Sequence, residues 1–233
     1  MGPELLSLIP VSEQSDTEHA SADEPLRCPV HWDDAARSTA DDIARRKAVA
    51  SHLDAARAAA LAARAVEQRA EDRDVGHIDI EYVSRVGHKL GYGHPLSDKT
   101  GTLRFTWTPE AEARLEEVPA FCREMTRWRV EWMAHKKHLG TTITPDLMEM
   151  KYEMWGEVSR AIGERHEHEI AWTDGARERL ARIPEFVRGQ VTDAVEGNAR
   201  RLGAGCVDDE VFDDTVRRWT QSGDFHEGKF GFR

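Results

Sequence analysis

The chain has few cysteines, no long apolar run and a deficit of basic side chains. Its 233 residues include three distant cysteines, Cys28, Cys122 and Cys206. They are too few and too scattered for a disulfide framework, a zinc knuckle or an iron–sulfur cluster within one chain. The lack of an 18-residue apolar stretch excludes a membrane-spanning helix, and the first ten residues lack the pattern of a secretory signal. We therefore expect a cytoplasmic protein.

The charge is acidic and unevenly distributed. Lysine and arginine number 32 against 43 acidic residues, which gives a net charge of −11. Residues 1–34 contain eight acids and one arginine. A chain of this charge repels phosphate backbones, which argues against nucleic acid as a partner. Because large apolar side chains are also scarce in this region, residues 1–31 are predicted to form a disordered acidic tail.

Glycine and proline are absent from residues 33–72, where alanine dominates. Alanine is the strongest helix former, so the composition predicts one long helix over 32–73. Small side chains recur along 43–70 and form a seam that suits close helix packing. That seam is expected to pack on its own chain, or alternatively to join two copies in a homo-oligomer.

Residues 74–106 combine a short helical segment with a glycine-rich loop. Gly91, Gly93 and Pro95 interrupt regular structure there. Two histidines, His88 and His94, flank the sequence Gly-Tyr-Gly. The loop is interpreted as a connector, with a role in lining a ligand pocket as the alternative.

An internal repeat is the strongest signal in the sequence. A shift of 65 residues superimposes 107–134 on 172–199 with 11 identities over 28 positions and no gap. The repeated motif comprises Trp107, Pro119, Phe121 and Arg123 in the first copy and Trp172, Pro184, Phe186 and Arg188 in the second. We interpret these residues as structural: Pro starts a helix, Phe anchors the core, and Arg covers a turn or pairs with Glu131 or Glu196.

Each copy is predicted to contain three helices. Thr108 and Thr173 are candidate N-caps of the first helix, and Gly140 and Gly203 end the second. Thr144 and Asp208 are placed to cap the third. The pattern predicts an all-α fold: unit 1 over 107–155, a linker over 156–171, unit 2 over 172–220 and an aromatic tail over 221–233, after the long Ala-rich helix and the acidic tail. No alternating strand pattern competes.

A fainter third copy is indicated upstream. A shift of 65 from Ile143 reaches Ile78, within Gly76-His-Ile-Asp, so 74–106 is interpreted as part of a degenerate repeat with the Ala-rich helix as its second helix. The tryptophan and the Pro-x-Phe motif of the other copies are not found in it.

Unit 1 differs from unit 2 by an apolar stripe on its second helix. Spacings of four, three and four place Phe121, Met125, Trp128 and Trp132 on one face. The corresponding residues of unit 2 are Phe186, Gln190, Asp193 and Gly197. Burial of two indoles is strongly favourable, so this face should be covered. The candidates are the chain's own Ala-rich helix, a partner protein, or a flat tetrapyrrole stacked on tryptophan.

Two sequence patterns contain residues that could bind a metal ion or haem. Glu131, His135 and His138 follow i, i+4 and i+7, which suits a metal site on one helix face. Histidines near a helix C-terminus also favour the macrodipole, which is the alternative. Cys28-Pro29-x-His31 could ligate haem, although a turn is the simpler interpretation. No cofactor and no catalytic residue is predicted from the residues themselves.

The paired motifs resemble a known family. Trp107-Thr-Pro-Glu-Ala followed by Val118-Pro-Ala-Phe-Cys-Arg, with its partner copy from Trp172, is similar to the helical C-terminal domain of the light-independent protochlorophyllide reductase B subunit, the PCP-reductase family. The resemblance implies a link to (bacterio)chlorophyll synthesis or an oxidoreductase assembly. It does not imply stand-alone reduction, because the nitrogenase-like domains that hold that enzyme's cluster are missing here.

The resulting expectation is a non-catalytic accessory or interaction protein of a tetrapyrrole-related or electron-transfer complex. One alternative is a pigment-holding component of a protochlorophyllide-reductase-like oxidoreductase. Another is a helical scaffold with no pigment role. Partner contact through Trp128 and Trp132, assisted by Phe225, Phe230 and Phe232 of the tail, fits the first.

Overall fold

A computed structural model describes residues 29–101, 103–166 and 170–225, with the side chains of 165 and 166 left out. The fold is mostly helical, at 68% helix, which confirms the all-α prediction. The structure also contains three short parallel strand pairs, which the sequence analysis did not predict. Each strand has two residues.

The described residues form three units in which the elements follow one order: strand, two helices, strand, helix. The N-terminal unit contains β1 (His31–Trp32), α1 (Asp34–Lys47), α2 (Ala55–Glu71), β2 (His77–Ile78) and α3 (Ile80–Lys89). Unit 1 contains β3 (Thr106–Trp107), α4 (Pro109–Glu116), α5 (Ala120–Lys136), β4 (Thr142–Ile143) and α6 (Pro145–His166). Unit 2 contains β5 (Ala171–Trp172), α7 (Asp174–Ala181), α8 (Glu185–Leu202), β6 (Cys206–Val207) and α9 (Asp209–Ser222).

The first strand of each unit ends on a tryptophan that pairs with a branched aliphatic residue. The pairs are Trp32 with Ile78, Trp107 with Ile143, and Trp172 with Val207. A fully buried alanine follows each tryptophan by four residues, at positions 36, 111 and 176. The structure therefore corrects the sequence analysis: the upstream copy does have its tryptophan, at Trp32, and it spans 31–89, so that the Ala-rich region supplies both its first and its second helix.

The third helices also correspond. Asp79 and Asp208 cap α3 and α9 by accepting the backbone N–H three residues later. Two buried positions then recur at the same distance from β2, β4 and β6. They are Val83, Met148 and Phe212, followed by Leu90, Trp155 and Trp219. The same inward stripe thus builds the core of all three units.

The single helix predicted over 32–73 is wrong. The chain leaves α1 through a 3₁₀ turn (Ala48–Ser51), reverses at His52, which has a positive φ of 56°, and starts α2 under the cap of Asp54. α1 and α2 then pack against each other. One extended helix would leave its alanine face in water. The reversal keeps both segments helical and buries Ala40 between packed helices.

The linker predicted over 156–171 is also wrong, because α6 continues to His166. α6 lies against α8 at a close approach that requires Gly189: a Cβ there would sit 2.3 Å from the Ser159 carbonyl oxygen. The Ser159 hydroxyl accepts from the Gly189 N–H at 2.7 Å and donates to the Glu185 carbonyl at 2.8 Å. This contact joins unit 1 to unit 2.

The predicted helix ends are confirmed in part. Thr108 and Thr173 cap α4 and α7, and Gly203 ends α8 in the left-handed conformation. Gly140 does not end α5, which stops at Lys136. His138 and Gly140 both have positive φ in the turn that follows.

The repeated arginines cover the preceding turn, which confirms one of the two interpretations. Neither pairs with Glu131 or Glu196, although Arg123 also pairs with the exposed Glu116 carboxylate at 2.6 Å. Arg123 donates to the carbonyls of Val118 and Glu116, at 2.8 Å each. Arg188 donates in the same way to Ile183 and Ala181, at 3.2 and 3.1 Å. Each guanidinium thus satisfies carbonyls at the end of the preceding short helix, which have no partner within that helix.

Candidate functional site

A tryptophan–glutamate hydrogen bond connects the first strand and the second long helix in each unit. The indole N–H donates to Glu67 from Trp32 at 3.1 Å, to Glu131 from Trp107 at 2.9 Å, and to Glu196 from Trp172 at 3.1 Å. The sequence analysis missed this pairing. The signal was present, because the tryptophan precedes the glutamate by 24 residues in both clear copies.

Glu131 is the most enclosed of these carboxylates. Its side chain is fully buried, and its Oε1 lies 2.7 Å from His52 Nε2 of the N-terminal unit. Its Oε2 has no hydrogen-bond partner among the residues that the structure describes. Burial and, to a smaller extent, the nearby charge of Glu131 raise the pKa of Tyr92 to about 12.

The structure does not bring Glu131, His135 and His138 together as the metal-site interpretation of their spacing requires. Glu131 points inward to Trp107, while His135 and His138 are exposed and His138 lies beyond the end of α5. Over residues 29–101, 103–166 and 170–225, no group of three or more His, Cys, Asp or Glu side chains is arranged to hold a metal ion. The helical spacing failed because the turn at the end of α5 displaces its third member.

The aromatic stripe of α5 does not form one open face. Met125 and Trp128 are buried, at 9% and 3% exposure. Phe121 and Trp132 are half-buried. Trp128 therefore offers no accessible ring for a partner or a pigment in the folded chain.

The glycine-rich loop supplies much of the cover over Trp128. Gly93, at a φ of 88°, lies so close that a Cβ would fall 1.9 Å from Trp128 Cγ. The Trp128 indole donates to the Ser51 carbonyl at 3.4 Å, and the rings of His94 and Phe225 meet it edge-on. The Ala-rich segment, which was predicted to cover this face, thus contributes its 3₁₀ turn while the loop packs directly on the ring.

The other stripe residues are also engaged within the chain. Trp132 stacks on Tyr92 with ring centroids 5.0 Å apart, and Phe121 stacks on Trp219 at 6.2 Å. Phe225 contacts Trp219 at 5.6 Å. Unit 1 therefore has its extra aromatic residues because it is the unit on which the loop and the C-terminal segment close.

His94 fixes the loop in place. Its Nδ1 accepts from the Leu96 N–H at 3.1 Å, so its Nε2 carries the proton and donates to the Ser222 carbonyl at 2.8 Å. The ring is almost completely buried. This arrangement indicates an anchoring histidine and gives the connector interpretation of the loop a physical basis.

Some of the remaining candidate site residues lie outside the part of the chain that the structure describes. Cys28, of the haem-like pair, and Phe230 and Phe232 lie outside the described residues. His31 is part of β1 and is exposed. Cys122 is buried as predicted for a small apolar residue, and burial raises the pKa of its thiol.

An exposed apolar row runs along α6. Met150, Met154 and Val158, each four residues apart, are 37%, 39% and 43% exposed. Glu149, Glu153 and Glu157 form a parallel exposed row immediately before them in sequence. In the other two units, Met150 and Met154 are replaced by charged residues. They correspond to Arg85 and Lys89 in α3, and to Asp214 and Arg218 in α9.

The fold and these contacts define a class: a mostly helical protein of tandem units, each closed by a short strand pair and a tryptophan–glutamate hydrogen bond. No helix within the described ranges has the length and apolar character to cross a membrane.

Comparison with known families gives a specific match. Residues 107–151 and 172–215 match the family described as the proto-chlorophyllide reductase 57 kD subunit. The chain therefore carries two tandem copies of this domain, as its sequence predicted, and they cover less than half of its length. The N-terminal unit lies outside both matched segments. No curated protein and no solved structure matches the chain.

Proposed function

We propose that the protein is a non-catalytic accessory protein that binds a component of a protochlorophyllide-reductase-related assembly. Its two domain copies link it to that group of proteins. The observation that supports an interaction role is the exposed row Met150, Met154 and Val158, which has no counterpart in the other two units.

The row suits a helix-to-surface contact. Methionine is flexible and polarizable, and it adapts well to a partner surface. The residues of unit 2 that correspond to the two methionines, Asp214 and Arg218, are charged and make ion pairs, with Arg201 at 2.9 Å and with Asp72 at 2.8 Å. The apolar character is therefore a property of α6 and is not required by the repeat.

The flanking glutamates indicate the chemistry of the partner. Glu153 and Glu157 are exposed beside the apolar row and make no ion pair with a described residue. A complementary surface would carry an apolar patch bordered by lysine or arginine. We therefore expect a partner subunit with a basic-rimmed apolar patch.

The pigment-holding alternative has less support. A tetrapyrrole stacked on Trp128 would have to displace Gly93 and the His94 anchor from the ring. The contact row on α6 needs no such rearrangement.

Affinity purification of the tagged full chain from its native cell tests the proposal. We expect an enzyme of tetrapyrrole synthesis to co-purify with the wild type, to be lost with Met150→Asp/Met154→Asp, and to be retained with Val49→Asp. Val49 is a matched control, since it is apolar and 54% exposed. Circular dichroism checks that all three proteins are folded.

Two outcomes would overturn the proposal. One is equal recovery of the enzyme with the double variant. The other is a saturable Soret-band change when protochlorophyllide is added to the purified wild type, which would favour a pigment-holding role.

A further inference from the structure

A cationic cavity of about 230 Å³ lies in the N-terminal unit, between the end of α2 and the exposed side of α3. Four basic side chains line it: Arg69, Arg73, Arg85 and Lys89. No acidic residue is part of its lining. The cavity lining is therefore positively charged in a chain whose net charge is −11.

Three of these cations are available to a ligand. Arg73 donates to the Arg69 carbonyl at 3.1 Å but makes no ion pair with a described residue. Lys89 likewise has no ion pair within the described ranges. Arg85 has one loose contact, 3.8 Å from the exposed Glu81. Arg69 differs, because it is committed to Asp224 at 2.6 Å.

Tyr82 provides a second, independent indication of a ligand. The residue is 7% exposed and lines this cavity, and its hydroxyl makes no hydrogen bond of normal geometry with a described residue, although the Arg73 side chain lies beside it. A buried hydroxyl without a partner is costly. The Arg85 guanidinium lies over the Tyr82 ring, 5.5 Å from its centroid, and both residues line the cavity.

The ionisation of Tyr82 agrees with a donor role. Burial raises the pKa of its phenol above the ordinary value, although the charge and the nearby N–H donor of Arg73, and the charges of Arg69 and Arg85, oppose the shift. The phenol therefore keeps its proton at neutral pH. A protonated hydroxyl beside uncompensated cations is complementary to an oxyanion.

The other units do not build such a cavity. Tyr82 corresponds to Leu147 in unit 1 and to Val211 in unit 2. Arg85 corresponds to Met150 in unit 1 and to Asp214 in unit 2. The cationic lining is thus not needed to fold a unit of this kind.

We propose that this cavity binds an oxyanion, a carboxylate or phosphate group, through the Tyr82 hydroxyl and the side chains of Arg73, Arg85 and Lys89. Its volume suits an anionic group rather than a complete drug-sized molecule. Val75 and Val86 form the apolar part of the lining and would contact the carbon skeleton that carries the anion. This inference is independent of the function proposed above.

Isothermal titration of the full chain with inorganic phosphate, and separately with succinate, at constant ionic strength tests the site. We expect saturable binding of at least one anion. Tyr82→Phe and Arg73→Gln should each weaken it by about tenfold, the effect of losing one charge-assisted hydrogen bond. Arg45→Gln, an exposed arginine of α1 that lines none of this cavity, should bind like the wild type.

The two probes distinguish the source of the anion. Binding of phosphate alone indicates a phosphorylated ligand, and binding of succinate alone indicates a carboxylate. Absence of saturable binding of either anion overturns the proposal. Unchanged affinity in folded Tyr82→Phe and Arg73→Gln does so as well, because binding would then occur elsewhere.

Discussion

His52 Nε2 lies 2.7 Å from Glu131 Oε1 and so joins the reversal between α1 and α2 to a fully buried carboxylate of unit 1. In unit 2 the corresponding carboxylate, Glu196, has Arg200 of its own helix at 3.3 Å. The residue of unit 1 that corresponds to Arg200 is His135, and it is exposed. Unit 1 therefore takes its polar partner from the neighbouring unit, and this contact couples the two.

Replacement of His52 should destabilise the protein through Glu131. His52→Ala leaves a buried carboxylate with one donor fewer, and we expect a loss of about 2 kcal/mol in the free energy of unfolding. Urea denaturation measures it. His135→Ala, on the exposed surface, should change stability by less than about 0.5 kcal/mol.

A second substitution identifies the cause. Glu131→Gln retains an acceptor for Trp107 but removes the charge, so it should recover most of the loss in the His52→Ala background. If the double variant is no more stable than the single one, the pair is not the origin of the effect.

The three indole–carboxylate bonds should differ in strength according to burial. Trp107→Phe removes a donor from a carboxylate with 0% exposure, whereas Trp32→Phe affects Glu67, which is 28% exposed and also contacts Arg37. We expect a loss of about 2 kcal/mol for the first and about 1 kcal/mol or less for the second. Denaturant unfolding of both variants under one condition makes the comparison. Equal losses would show that packing of the ring, common to both, is what matters.

Gly93 and Gly140 form a matched pair for testing the loop over Trp128. Both have φ near 87°, at 88° and 86°, but a Cβ at Gly140 would meet no atom within 4 Å. Gly140→Ala should therefore cost about 1 kcal/mol, from backbone conformation alone. Gly93→Ala should cost about 3 kcal/mol, because the methyl group also collides with the indole.

Tryptophan fluorescence checks the same pair. Displacement of the loop would expose Trp128 and shift the emission to longer wavelength in Gly93→Ala but not in Gly140→Ala. Identical stability and identical spectra for the two variants would contradict the packing of Gly93 on the indole.

Lys151 should make stability rise with pH. Burial, assisted by the charges of Arg129 and Lys137, lowers the pKa of Lys151 to about 8 from 10.5, while its ammonium lies 4.9 Å from the centroid of the Trp155 ring. Between these two pKa values the unfolded chain binds more protons than the folded one. The free energy of unfolding therefore increases as the pH rises through this window, by about 2 kcal/mol between about pH 7.5 and 9.5.

The measurement is a set of urea titrations across that pH range. Lys151→Met keeps a long apolar side chain and removes the titration, so its stability should be flat where that of the wild type rises. A wild-type slope of zero would show that the ammonium is as well solvated in the folded chain as in the unfolded one.

Several structural features followed from the sequence because they depend on local chemistry or on repetition. Threonine caps at 108 and 173, the left-handed Gly203 and the duplication are properties of nearby residues or of self-similarity. The upstream copy was harder to recognise. Its first helix has 14 residues against 8 in α4 and α7, so a fixed shift of 65 could not align Trp32 with Trp107.

The failures came from contacts between distant residues. Helical spacing placed Glu131 with His135, yet the carboxylate turns inward to Trp107 and His52, which are remote along the chain. The stripe containing Trp128 was correctly identified as a face that requires cover. The glycine-rich loop provides most of that cover. It can approach the Trp128 ring only because Gly93 has no Cβ, and the spacing of apolar residues does not reveal such an approach.

The amino-acid sequence by itself determined the helical class, the tandem duplication, the caps and the family resemblance, because hydrophobic period, capping chemistry and repetition are all encoded locally. Only the tertiary structure decided that residues 33–72 fold back at His52, that Trp128 is enclosed, and that Tyr82 borders a cationic cavity with Arg73. These outcomes depend on which surfaces meet when the units pack, and packing balances the burial of every face at once.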